Sequence, residues 1–269
     1  MTKRYQKQIL VIRADEVRHR ALSTILSRCG FSVSEIIVPK PQVQTNMSPR
    51  VIQHFSARAQ FERDYFRYLD LESKIFSCNR ILTQEINDAK SLSFADEVKP
   101  DFVITFGCPV LQKDWIHKFP DLILGIHLGL SPYYRGSGTN FFPFVNSEIG
   151  AVGYTLMNLD EGIDTGAIFH QKYAEIVLGD SIHTIGTRLM QNMFDDIAQL
   201  LNSYDNLKGA IPQNLTLPSR HYRLKHFTDD AFDSAYKNLR NGVIESFIEN
   251  SNKERAKFPL VRQVKLCIF

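Results

Sequence analysis

The chain has 269 residues, 43% of them apolar and 23% charged, with a formal net charge of +3 at neutral pH. This composition suits one sizeable core and excludes both a disordered chain and the basic stripe of a nucleic-acid binder; a small anionic molecule stays acceptable as a partner. No run approaches the roughly 20 apolar residues of a spanning helix, and residues 9–12 are too short an apolar stretch for a signal peptide. A cytoplasmic protein with no membrane partner is expected. Cys29, Cys78, Cys108 and Cys267 form no C-x-x-C pair, so neither a metal site nor a disulfide framework is expected.

Residues 8–13 read as a buried strand, followed by a helix whose apolar spacing at Ala21, Leu22, Ile25 and Leu26 ends on Gly30. Asp15, Glu16 and His19 have the spacing of a helical metal pair, but without a further ligand they read as a solvated helix start. Residues 31–38 form the next strand, and strand-helix-strand implies parallel pairing. Residues 39–50 read as a loop, and residues 54–71 as one helix with Arg58 and Glu62 four apart on its face. A helix over 91–98 leads to the strand 102–106, which stops at Gly107. A short helix around 110–118 precedes the strand 122–127. Residues 151–159 and 167–176 alternate like strands, and residues 181–201 form a long helix capped by Asp180 or Ser181. The tail is polar and broken by Pro212 and Pro218, with a helix over 228–239. The fold class is α/β: an open, twisted, mostly parallel Rossmann-like sheet over residues 1–205, with a helical C-terminal extension over 206–269 packed on it.

Ligands of open α/β sheets lie at the carboxyl ends of strands, which directs attention to Phe106-Gly107 and His127. Around the second end the chain reads Gly125-Ile-His-Leu-Gly-Leu-Ser-Pro-Tyr-Tyr-Arg-Gly136, and later Leu159-Asp-Glu-Gly-Ile-Asp-Thr-Gly166. Alone, a histidine at a strand end is most simply structural, and Asp164 in a glycine-rich turn is most simply an Asx turn. Together the two segments resemble the folate-dependent formyltransferases that act on glycinamide ribonucleotide, methionyl-tRNA and sugar amines. The resemblance in order of elements runs from about residue 8 to about residue 201. It implies transfer of a formyl group from 10-formyltetrahydrofolate to an amine, with no metal.

In that chemistry charge gathers on the formyl oxygen while a proton leaves the amine, so oxyanion donors and one proton carrier are needed. The resemblance casts His127 as donor or proton carrier and Asp164 as the carboxylate that orients its ring and favours its charged form. It also implies that Phe106, Gly107, Cys108 and Val110, with Asp160, Glu161, Gly162 and Ile163, line a pterin pocket. Ser131, Tyr133, Tyr134 and Arg135 are expected on the acceptor, because aromatic rings beside a guanidinium suit a nucleotide or sugar. Their loop looks like that of sugar-pathway relatives, which makes a nucleotide-linked amino sugar the preferred acceptor over methionyl-tRNA.

One position departs from the family pattern. Where the family has asparagine, this chain has Gly125, and loss of one oxyanion donor costs about 10²–10³ in rate. Asn140 is the first candidate to replace the missing amide; an impaired enzyme, or a folate or nucleotide-sugar binder without turnover, is the alternative. Association into a homo-oligomer is left open by the sequence.

Overall fold

The computed structural model describes residues 6–39, 47–203 and 209–266. Cys267, the start of the tail at 206–208 and most of the expected loop at 39–50 lie outside the described residues. The sheet is built from β1 (Gln8–Ala14), β2 (Ser32–Val38), β3 (Asn79–Leu82), β4 (Phe102–Phe106), β5 (Ile123–His127), β7 (Gly153–Asn158) and β8 (Ile168–Tyr173). Its spatial order is β3-β2-β1-β4-β5-β7-β8. The first five strands pair in parallel, and β7 pairs antiparallel with both β5 and β8, a mostly parallel α/β sheet as expected.

Alternation along the central strands gives each face its own apolar layer. From β1, Ile9 and Val11 enter the larger layer, completed by α1 (Val17–Arg28), α2 (Pro49–Tyr65), α3 (Arg67–Ser73) and α7 (Ile182–Asn202). Leu10 and Ile12 enter the smaller one, where Ala95 of α4 (Ala89–Val98) and Trp115 of α5 (Lys113–Lys118) cover the other face. Local chemistry sets the helix ends: Ser48 accepts from Val51 N–H ahead of Pro49, and Ser181 and Thr184 make a reciprocal capping box on α7.

The single helix expected over 54–71 is two. The chain breaks at Phe66, whose ring turns inward to 5.8 Å from that of Phe194, and burial of a phenylalanine outweighs one continuous helix. His19, expected in solvent, is 1% exposed with its ring edge-on to Phe106 at 4.6 Å.

Residues 209–266 add β9 (Arg220–Tyr222), α8 (Asp229–Arg240), α9 (Val243–Glu249) and α10 (Ser251–Ala256). β9 pairs in parallel with β6 (Tyr134–Gly136), outside the main sheet. Phe232 and Phe247 join the larger apolar layer, and Asn238 Nδ2 donates to the carbonyls of Phe144 and Val145 at the end of α6 (Phe142–Val145). The chain then lies along the free edge of β8: Gln171 N–H donates to Arg262 O at 2.8 Å, and Val264 N–H to His170 Nδ1 at 3.0 Å. No helix among the described residues is long and apolar enough to cross a membrane.

A buried ion pair and a buried histidine make the fold sensitive to substitution and pH. Arg13 and Glu35, each 2% exposed, are joined at 2.6 Å. Burial pushes Glu35 up, but the bond and charge of Arg13 hold its carboxyl below the usual range. Arg13→Met leaves that carboxylate only the looser contact with Arg80 Nε at 3.4 Å and is expected to cost about 3 kcal/mol in urea unfolding, most of it recovered by Arg13→Met/Glu35→Met; an unchanged midpoint in the single variant would contradict this. Burial pushes His170 down to about 4, so between pH 6.5 and 4 the unfolded chain takes up a proton that the folded one refuses. Stability from this group is full above pH 6.5 and drains as pH falls toward 4. His170→Asn, which keeps an acceptor for Val264, is expected to make the fall in unfolding midpoint from pH 7.5 to 5 shallower; an unchanged fall would count against it.

Candidate active site

From β1 the chain winds outward through β2 and β3, then returns to β4 on the opposite side of β1. This reversal opens a crevice at the carboxyl ends of the strands. Two cavities lie there, one of about 360 Å³ and a narrower one of about 150 Å³. Gly107, Ile126 and His127 line both and form their common wall.

His127 ends β5 and is 7% exposed. Its Nε2 stands 2.8 Å from Tyr134 O, and its Nδ1 3.4 Å from Asp164 Oδ1. A carbonyl oxygen only accepts, so Nε2 carries a hydrogen and donates it. Nδ1 is then the position at which the ring can gain or lose a proton without giving up its anchor.

Asp164 is fixed in turn. Its Oδ2 accepts from Gly136 N–H at 2.7 Å, and Gln213 Nε2 donates to the carbonyls of Asp164 (3.0 Å) and Gly166 (2.7 Å). Asp164 adopts φ 53°, a left-handed conformation that aspartate tolerates better than most residues. The Asx turn belongs to its neighbour: Asp160 Oδ1 accepts from Gly162 N–H and Thr165 Oγ1. Gly136 has φ 86°, and a Cβ there would run into Tyr222 O, so only glycine fits between β9 and the carboxylate.

The structure brings Gly125, Gly107, Cys108, Val110, Asp160, Gly162, Ile163, His127 and Asp164 around the narrower cleft. Phe106 faces the larger cavity instead, and Glu161 lies at the surface, 3.5 Å from Lys113 Nζ. Asn140 also lines the larger cavity, its Oδ1 buried without a partner, and so is not beside Gly125. Over Gly125 sits Leu159, whose Cδ2 occupies the place a Cβ would need.

The loop residues expected on the acceptor line neither cavity. Tyr133 hydroxyl donates to Pro259 O, Tyr134 hydroxyl to Glu148, and Ser131 O accepts from Gln171 Nε2. These side chains prop the loop against distant parts of the chain. Arg135 is 6% exposed, with Nε and Nη2 unpartnered.

What lines the larger cavity came from elements with no visible motif: Arg18, His54, Arg58 and Glu62 from α1 and α2, and His183 from α7. The spacing of Arg58 and Glu62 was the one sequence signal, and it reads equally well as a surface pair. Arg58 lies over the Phe55 ring at 5.0 Å, with Nε 3.5 Å from Glu62 Oε1, an atom that Arg18 Nη1 holds more closely at 3.0 Å. Burial and the charge of Arg18 push Arg58 down to about 10. Burial, with His183 and Arg58 nearby, pushes His54 down to about 4, so it is neutral at pH 7. Among the described residues no three His, Cys, Asp or Glu side chains gather as metal ligands.

The family model described as formyl transferase matches residues 41–195, more than half of the chain and both motifs. The methionyl-tRNA formyltransferase of Finegoldia magna is 25% identical over 132 residues, covering 46% of this chain and 42% of that protein. The methionyl-tRNA formyltransferase of Desulforamulus reducens is 30% identical over 157 residues, covering 55% and 47%. The matched segment thus spans less than half the length of these relatives. Among solved structures, a sugar N-formyltransferase from Shewanella superposes with a TM-score of 0.54 at 16% identity, covering 87% of this chain and 89% of that one. Phosphoribosylglycinamide formyltransferase from Anaplasma phagocytophilum gives 0.53 at 15% identity, covering 81% and 99%; at such identities both speak for the fold alone. With the family match running through His127 and Asp164, the chain belongs to the folate-dependent formyl transferase family.

Proposed function

We propose that the protein transfers a formyl group from 10-formyltetrahydrofolate to the amine of a small molecule, with a nucleotide-linked amino sugar as the preferred acceptor. One observation carries the reading: His127, braced by Asp164, is the wall common to two cavities of unequal size. The narrower cleft sets apolar Leu111, Met157 and Leu159 against the polar turn at Asp160–Asp164, a slot suited to a flat heteroaromatic ring with a hydrogen-bonding edge. Bound there, the folate supplies an electrophilic formyl carbon to the amine.

His127 Nδ1 is placed to hold and pass on the proton that the amine loses, while the bond from Nε2 to Tyr134 keeps the ring in place. Asp164 stabilises the ring while it is charged. The larger cavity suits the acceptor. Its size falls in the range of small-molecule sites, and the loosely paired Arg58 beside Arg18 favours an anionic group such as a diphosphate.

Methionyl-tRNA is the second reading, favoured by the relatives found by sequence.

The test is to incubate the protein with 10-formyltetrahydrofolate and a panel of nucleotide-linked amino sugars and methionyl-tRNA, reading tetrahydrofolate release and a gain of one formyl group by mass spectrometry. His127→Ala is expected to lower kcat by about 10²–10⁴ with little change in folate affinity; equal loss of both would reduce His127 to a positioning role. Gly125→Asn alone is expected to leave kcat level or lower it, because the new side chain meets Leu159. A rise would show that the leucine yields and that an amide was what the site lacked.

A further inference from the structure

With glycine at 125 and Asn140 on the other cavity, the formyl oxygen needs another donor, and the adjacent strand offers one. β4 and β5 run parallel with Thr105 opposite Gly125, so the two residues share a face of the sheet, the face to which His127 returns two positions later. A Cβ on Gly125 would lie 3.6 Å from Thr105 Oγ1. Thr105 is 6% exposed and lines the narrower cleft together with Gly125, His127 and Asp164. Its hydroxyl makes no hydrogen bond among the described residues and is not sealed from solvent, which leaves it open to the cleft. Leu159 meanwhile fills the space that an asparagine side chain would take.

We infer that Thr105 is a catalytic residue whose hydroxyl donates to the formyl oxygen in place of the absent amide. The inference rests on the formyl-transfer reading. The bond from the amine nitrogen to the formyl carbon forms, the bond from that carbon to folate N10 breaks, and one proton passes from the amine to N10. Thr105 keeps its own proton and contributes the hydrogen bond, which strengthens as charge gathers on the oxygen.

The probe is the oxidation-stable analogue 10-formyl-5,8-dideazafolate, bound in the absence of any acceptor amine so that no transfer occurs, labelled with carbon-13 at the formyl group and read by isotope-edited infrared spectroscopy of the bound carbonyl. Thr105→Val, which keeps the shape and loses the donor, is expected to move the carbonyl band to higher wavenumber, while Thr105→Ser leaves it at the wild-type position. Turnover of the valine variant is expected to fall about 10²-fold, with analogue affinity close to wild type. Thr105→Ala gives the same reading if the valine variant does not fold. A bound analogue whose band is unmoved in Thr105→Val overturns the assignment and leaves the formyl-transfer reading standing. Failure of the wild-type protein to bind the analogue overturns that reading and this inference with it.

Discussion

The hydrogen bond from His127 Nε2 to the carbonyl of Tyr134 is the constraint around which the site is arranged. Because that oxygen only accepts, the bond fixes which nitrogen is permanently protonated and leaves Nδ1 as the chemically mobile one. It also ties the end of β5 to β6, seven residues on. From there the bracing continues through Gly136 N–H to Asp164 and through Gln213 to the backbone of the acidic turn. Each member is held by a partner from another element, so the imidazole and carboxylate face each other without depending on loop rigidity.

The two cavities that meet at this histidine differ in chemistry as well as size. The narrower is bounded by aliphatic side chains and a backbone turn. The larger brings arginines and neutral histidines together with few acids to offset them. A half-buried guanidinium whose Nε has no hydrogen-bond partner and whose carboxylate contact is loose gains more from an arriving anion than a fully paired one would. The absence of an amide at Gly125 fits the same pattern of local rearrangement, since Leu159 and Thr105 occupy the surroundings that the amide would have shared.

How much of this the sequence revealed depended on whether the signal was local. β1, β4 and β5 are continuous apolar runs between clear breaks, and His127 and Asp164 stand at the two motifs. β3 was missed because an exposed edge strand shows no alternation, and β6 and β9 are three residues each. Tyr133 and Tyr134 looked like a ligand platform because their partners, Pro259 and Glu148, are invisible to a local reading. Arg18, His54, Arg58 and His183 reach one cavity only because α1, α2 and α7 pack side by side. No periodicity in any one helix could have announced that.

The small sheet formed by β6 and β9 sets an order of resilience within the molecule. It consists of two three-residue strands, held also by Arg220 N–H to Tyr133 O and Ser137 N–H to Tyr222 O, and β9 is largely exposed. The seven-stranded sheet has two apolar layers to protect it; in the ladder β6 is buried, while β9 is open to solvent except where Tyr222 stacks on Phe142, and such outer strands open locally at a fraction of the global unfolding free energy. Yet β6 supplies both the carbonyl that anchors His127 and the amide that anchors Asp164. The geometry of the His127–Asp164 pair is therefore tied to a strand whose outer neighbour, β9, opens more readily than the main sheet does.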